Sequence, residues 1–171
     1  MKSKIILAAI LILLGYQAFS QQITIKGRLI DYETGDPILQ AAVSSVISDN
    51  DGRAKYESGT VSDAEGKFEF TGKPEWIEVT YIGYFRVKII NIPKEMNEID
   101  FGDIFLAVVK YHPSVAELIS GEVDQEQLNE FNRIYIESVL EDFCLDVYGK
   151  ECKPYFENQS LVYDLSKNEN E

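Results

Sequence analysis

The only histidine, His112, stands before Pro113, and the only two cysteines, Cys144 and Cys152, lie eight residues apart. These side chains have the strongest intrinsic chemistry: proton transfer near neutral pH, nucleophilic attack, metal ligation and disulfide formation. A zinc peptidase centre needs two histidines and a glutamate, so one histidine cannot build it. A Ser-His-Asp arrangement would make His112 its base. A histidine against a proline, where a predicted strand ends, reads instead as a boundary residue. Asp49-Asn50-Asp51-Gly52 has the acidity of a calcium loop. An EF-hand starting at Asp49 would need an oxygen ligand fifth, glycine sixth and glutamate twelfth, where the chain has Arg53, Ala54 and Thr60. The segment reads as a turn with solvated carboxylates, as do Asp63 and Glu65. No glycine-rich phosphate loop is present. Among 29 acids, no spacing singles out the pair that glycoside hydrolysis requires. The sequence therefore predicts no catalytic residue, no cofactor and no metal site. Trp76, Tyr81, Tyr84 and Phe85 fall in one segment; they read as sheet packing, or as a platform for a sugar or peptide.

Composition sets the frame for these residues. The chain has 171 residues, 45% hydrophobic and 26% charged, which excludes a wholly disordered chain, a collagen-like repeat and a multi-pass membrane protein. Its formal charge is −13, and so acidic a chain repels phosphate backbones; no nucleic-acid partner is expected. Lys2 and Lys4 precede an uninterrupted apolar run from Ile5 to Leu14, and Ala18-Phe19-Ser20 places small residues at a cleavage site. Residues 1–20 read as a secretory signal peptide. The run is half the roughly 20 residues of a spanning helix, so no transmembrane span is expected after cleavage. Ser20 and Gln21 stand where a lipoprotein would carry cysteine. Removing this leader, with its two lysines and no acid, takes the charge to −15 over the remaining 151 residues.

From Gln22 to about Lys110 the pattern has period two and is punctuated by turns. Ile23, Ile25 and Leu29 alternate with polar neighbours, and Tyr32 to Pro37 carries turn residues. Phe68 and Phe70 share a face, as do Ile77, Val79 and Tyr81, and then Phe85, Val87 and Ile89. Gly102 reads as a bulge between Ile99-Phe101 and Ile104-Leu106. About seven short strands result, spaced as in an antiparallel, immunoglobulin-like β-sandwich. The predicted organisation is thus a leader at 1–20, a sandwich at 21–110 and a helical extension at 111–171.

In the extension, Ser114–Ile119 could form a helical turn, and Asp124 with Gln127 resembles a capping box. Leu128, Phe131, Ile134, Tyr135, Val139 and Phe143 then recur at helical spacing, predicting an amphipathic helix ending near Gly149. Its apolar face, including Leu128, Phe131, Tyr135 and Val139, must bury against the sandwich or against another protein. Export favours a Cys144–Cys152 disulfide over two thiols. Eight residues of helix span about 12 Å, and a disulfide needs Cα atoms within about 7 Å. The bond therefore requires the helix to stop, and Gly149 is placed for that. It would stabilise the fold by roughly 2–3 kcal/mol. Residues 166–171 read as a frayed polar tail.

Several segments resemble the carboxypeptidase regulatory-like domain family. They are Gly27 to Asp31 with Thr34 to Ile38, Ala42-Val43, Gly59 to Phe68, Val79 to Tyr84, and Ile99 to Ile104. The resemblance covers about residues 22–110 and implies a seven-stranded, transthyretin-like sandwich. Its turns would be set by Gly35, Pro37, Asp63, Gly66, Gly83 and Gly102. It further implies the envelope of a Gram-negative bacterium, where such domains occur at the N-termini of TonB-dependent transporters, beside zinc carboxypeptidases and as free exported proteins. No barrel or peptidase domain is legible after residue 110.

The expected function is a non-enzymatic, exported binding or scaffold module with a protein partner, located in the periplasm, at the outer membrane or in the medium. A transthyretin-like small-ligand carrier and an accessory to a peptidase or glycan-processing enzyme are the alternatives.

Overall fold

The computed structural model describes residues 22–110, 125–147 and 149–167, with Gln125, Gln127, Leu128 and Phe131 described by their backbone alone. The leader at 1–20, the His112-Pro113 pair, the turn at Ser114–Ile119, Asp124 and the last four residues lie outside these, as do the side chains of Gln127, Leu128 and Phe131.

Alternation becomes strands because each strand buries one face. In β4 (Lys67–Gly72), Phe68 and Phe70 are buried while Lys67, Glu69 and Thr71 face solvent. A similar pattern runs through β1 (Ile23–Asp31), β2 (Ala42–Ser48), β6 (Arg86–Ile90) and β7 (Glu98–Leu106), while β5 (Trp76–Thr80) buries three residues in a row and β3 (Ala54–Val61) buries none. After them come helix α1 (Gln125–Val139), a 3-10 turn (Leu140–Asp142), and strands β8 (Leu145–Val147), β9 (Lys150–Cys152), β10 (Tyr155–Glu157) and β11 (Ser160–Asp164). Among the described residues, no helix is long and apolar enough to cross a membrane.

A three-stranded sheet has the order β4-β1-β7, a six-stranded sheet the order β10-β11-β6-β5-β2-β3, and β8-β9 form a separate hairpin. Ile25, Leu29, Ile99 and Ile104 from the smaller sheet join Val43, Ile77, Val79, Val87 and Ile89 from the larger in one core. This is a mainly β, sandwich-type architecture.

Three expectations are corrected. Among the described residues the strands number eleven rather than seven, seven of them between Ile23 and Leu106 and four after the helix. They are not all antiparallel either, since β1 pairs in parallel with β7 and β11 in parallel with β6. The extension is not simply helical. Phe143, Leu145 and Val147 are buried while Asp146 is exposed, a period-two run that takes over from the helical one. The helix therefore stops at Val139, and Gly149 sits in the β8–β9 turn. Further on, β11 enters the large sheet, with Leu161 and Tyr163 in the common core.

The third correction concerns the cysteines. Cys144 and Cys152 are not joined by a disulfide. The β8–β9 register opposes Cys152 to Leu145, not to Cys144. The Cys152 Sγ lies 3.3 Å from the Asp164 carbonyl oxygen.

Candidate functional site

The predicted turn residues hold the sheet together locally. Asp63 Oδ1 accepts from the backbone N–H of Glu65 at 3.0 Å and of Lys67 at 2.8 Å. Gly66 has φ +75°, and a Cβ there would lie 2.5 Å from the Leu29 carbonyl oxygen. Gly102, at φ +60°, sits in the β7 bulge that shifts its register against β1. Pro37 makes a single bridge to Ile30; Gly35 and Gly83 occupy turns before β2 and β6. Asp49 accepts from the N–H groups of Asp51 and Arg53, closing a turn. These residues shape the fold and do not converge. Among the described residues, no three of His, Cys, Asp and Glu are grouped to hold a metal ion.

A tyrosine–carboxylate seam fastens the C-terminal segment to the sandwich. The Tyr135 hydroxyl on α1 donates to Glu33 Oε1 at 2.9 Å. Lys110 pairs with the same carboxylate, its Nζ 5.1 Å from the Tyr135 ring centroid. Tyr32 stacks on Phe143, with ring centroids 4.6 Å apart, and donates to Asp142. Tyr84 donates to Asp31 Oδ2 at 2.5 Å, while Oδ1 accepts from Glu33 N and Thr34 N at 2.8 and 2.9 Å.

Burial works against the ionised Asp31, but the Tyr84 hydroxyl and the Thr34 and Glu33 N–H groups outweigh it, holding the carboxyl below its ordinary range. Burial and the bond to Asp31 push Tyr84 up to about 12. Lys110 and then Tyr135 hold Glu33 low, and burial with Glu33 raises Tyr135. The acids stay ionised and the phenols stay protonated, so none is poised to exchange a proton near neutrality. The seam is a clamp. It seats Tyr135 and Val139 against the core, with Ile136 fully buried between them and Ile134 turned to solvent.

Two surfaces could take a partner or ligand. The first is a cleft of about 890 Å³ between α1, the β5–β6 connection and the β10–β11 turn. Tyr81, Tyr84, Phe85 and Phe156 line it with Arg86, Glu126, Asn129, Glu130, Arg133, Asn158 and Gln159. Trp76 is not among them; it lies on β5, with Lys88 Nζ 4.6 Å from its ring centroid. Asn158 and Gln159 have φ +47° and +58°, the signs of a type I′ hairpin turn. The turn brings Gln159 Nε2 to within 2.6 Å of Asn129 Oδ1 on α1. Sequence reading offered the Leu128, Phe131, Tyr135 and Val139 face of α1 as a partner face, but the cleft is lined from α1 by Glu126, Asn129, Glu130 and Arg133. It missed the β10–β11 turn, for which the Asn158-Gln159 pair between two short apolar runs was the available signal.

The second surface is the free side of β3, the terminal strand of the large sheet. A shallow, open surface runs along it, lined by Ser44 and residues Tyr56 to Val61. Tyr56 and Val61 are 58% and 57% exposed. The β2–β3 register shifts between Ser45 and Val46, leaving Ser58–Val61 as a regular run opposite Ala42–Ser45. The Ser62 N–H and carbonyl oxygen bond Ala41 and Gln40 on the β2 side. Strand alternation therefore turns the backbone groups of Gly59 and Val61 outward.

No family model matches the chain, and no curated protein matches it. Among solved structures it is similar to a 9R-lipoxygenase from Cyanothece, at 18% identity and TM-score 0.42, over 55% of this chain and 18% of that one. It is similar to a pilus 2b backbone protein of group B streptococcus, at 13% identity and TM-score 0.32, over 50% of this chain and 40% of that one. A shaft pilin C-terminal domain from Lactobacillus rhamnosus GG matches at 17% identity and TM-score 0.31, over 52% of this chain and 99% of that one. The chain thus spans well under half of the first two proteins, and at these scores the overlaps define neither family nor activity.

Proposed function

We propose that the chain is an exported, non-enzymatic β-sandwich module of the bacterial envelope that binds a protein partner by strand addition at β3. The observation that carries this reading is the open edge of β3, the terminal strand of its sheet, with the Gly59 and Val61 backbone groups turned outward. An extended segment can pair with such an edge through main-chain hydrogen bonds. Tyr56 and Val61, each more than half exposed, offer side-chain contacts beside that ladder. The leader-like residues 1–20 and the resemblance to carboxypeptidase regulatory-like domains support the export and the envelope setting.

A photo-crosslinking amino acid at position 56, activated in intact cells, is expected to give one discrete protein adduct. Val61→Pro removes an outward N–H and leaves the β2 ladder bonded, so it is expected to abolish that adduct without unfolding the chain. The same label at Ile134, an exposed position on α1, is expected to give none. Absence of a discrete adduct from position 56, or its survival in Val61→Pro, overturns the reading.

A further inference from the structure

We infer that the cleft between α1 and the β10–β11 turn is a second binding site, separate from the β3 edge, and that its ligand is a neutral glycan. Its volume of about 890 Å³ falls within the roughly 300–1,000 Å³ of ligand pockets. One part of its wall is aromatic. Tyr81 is 37% exposed, and its ring lies 5.4 Å from that of Tyr84. The Tyr84 hydroxyl is engaged by Asp31, so Tyr84 contributes ring and not hydroxyl.

Another part of the wall is amide. Gln159 donates one N–H to Asn129 and carries a second N–H and a carbonyl oxygen besides. Its backbone sits at φ +58°, a conformation that glycine adopts more readily than a residue with a side chain. Holding glutamine there places a planar donor–acceptor group on the cleft.

Both cations in the wall have carboxylate partners. Arg133 is bonded to Glu130 and Glu137, and Arg86 lies 3.6 Å from Glu78. A phosphate or carboxylate ligand would have to compete with those acids for its cation. A pyranose needs no such charge. Its C–H face fits an aromatic ring, and its equatorial hydroxyls fit planar amides that both donate and accept.

The test is isothermal titration of the full chain with neutral hexasaccharides of glucose, mannose, xylose and galactose, in α- and β-linked forms. Hexagalacturonate serves as the anionic comparator. At least one neutral hexasaccharide is expected to bind. Tyr81→Ala is expected to weaken that binding about five- to tenfold, while Tyr81→Phe keeps it and both variants melt like the parent. Gln159→Ala is expected to weaken it independently. Binding of none of the neutral sugars, binding unchanged in Tyr81→Ala, or hexagalacturonate binding tighter than every neutral sugar overturns the inference.

Discussion

Leu161→Ala tests whether the last strand is core or appendage. Leu161 is fully buried and stands opposite fully buried Val87 in the parallel β11–β6 ladder. Truncating such a leucine removes its transfer free energy and leaves a cavity, a loss of about 3 kcal/mol. That is a large fraction of a typical domain's 5–15 kcal/mol or so. It corresponds to a melting temperature lower by about 6–12 °C and a urea midpoint lower by about 1–2 M. Trp76 is the only tryptophan, and β5, which carries it, pairs with β6. Its fluorescence therefore reports on the sheet that β11 joins, while far-ultraviolet dichroism reports on α1. Both signals are expected to shift together, with Ile134→Ala, at a 57% exposed position, changing stability by less than about 0.5 kcal/mol. A Trp76 midpoint unmoved by Leu161→Ala, with α1 melting separately, would refute the claim that the C-terminal segment completes the sandwich.

Gly66→Ala and Gly52→Ala separate dihedral strain from collision. Both glycines have φ +75°, but only at position 66 does a Cβ meet backbone, the Leu29 oxygen at 2.5 Å. Gly52→Ala is expected to cost about 1 kcal/mol and Gly66→Ala at least about 2 kcal/mol by urea unfolding; equal losses would show that the collision relaxes away. Acid should loosen the seam. Asp31 and Glu33 are held below their ordinary values of 3.8 and 4.5. A carboxyl depressed in the folded state contributes stability above its unfolded pKa and loses it as pH falls through the folded one. Stability is therefore expected to hold above about pH 5 and to fall progressively below it. Asp31→Asn is expected to flatten that fall in urea midpoints between pH 7 and 3; an unchanged acid limb would remove the clamp from the account.

Strands such as β4 and β6 were legible because each has one wet and one dry face, so burial is written into every second residue. Most of β3 was not, since none of its residues is buried and it has no dry face to read. The Asp63–Gly66 turn was legible because its chemistry is local: a carboxylate reaching its own backbone and a glycine at positive φ. Phe143, Leu145 and Val147 carried the same signal over a run too short to outweigh the helical spacing before it. In β11 the signal was gone, since Ser160 to Asp164 are all buried and a strand covered on both faces has no alternation to read.

What the sequence determined by itself is thus the set of half-buried strands and their tight turns, since these depend on neighbours within a few residues. The tertiary structure alone decided that β11 lies parallel to β6, that Tyr135 reaches Glu33 across 102 residues, and that Gln159 meets Asn129 beside Tyr81. Parallel pairing and a cleft walled by three distant segments depend on how closed loops bring faces together, and no local period records that.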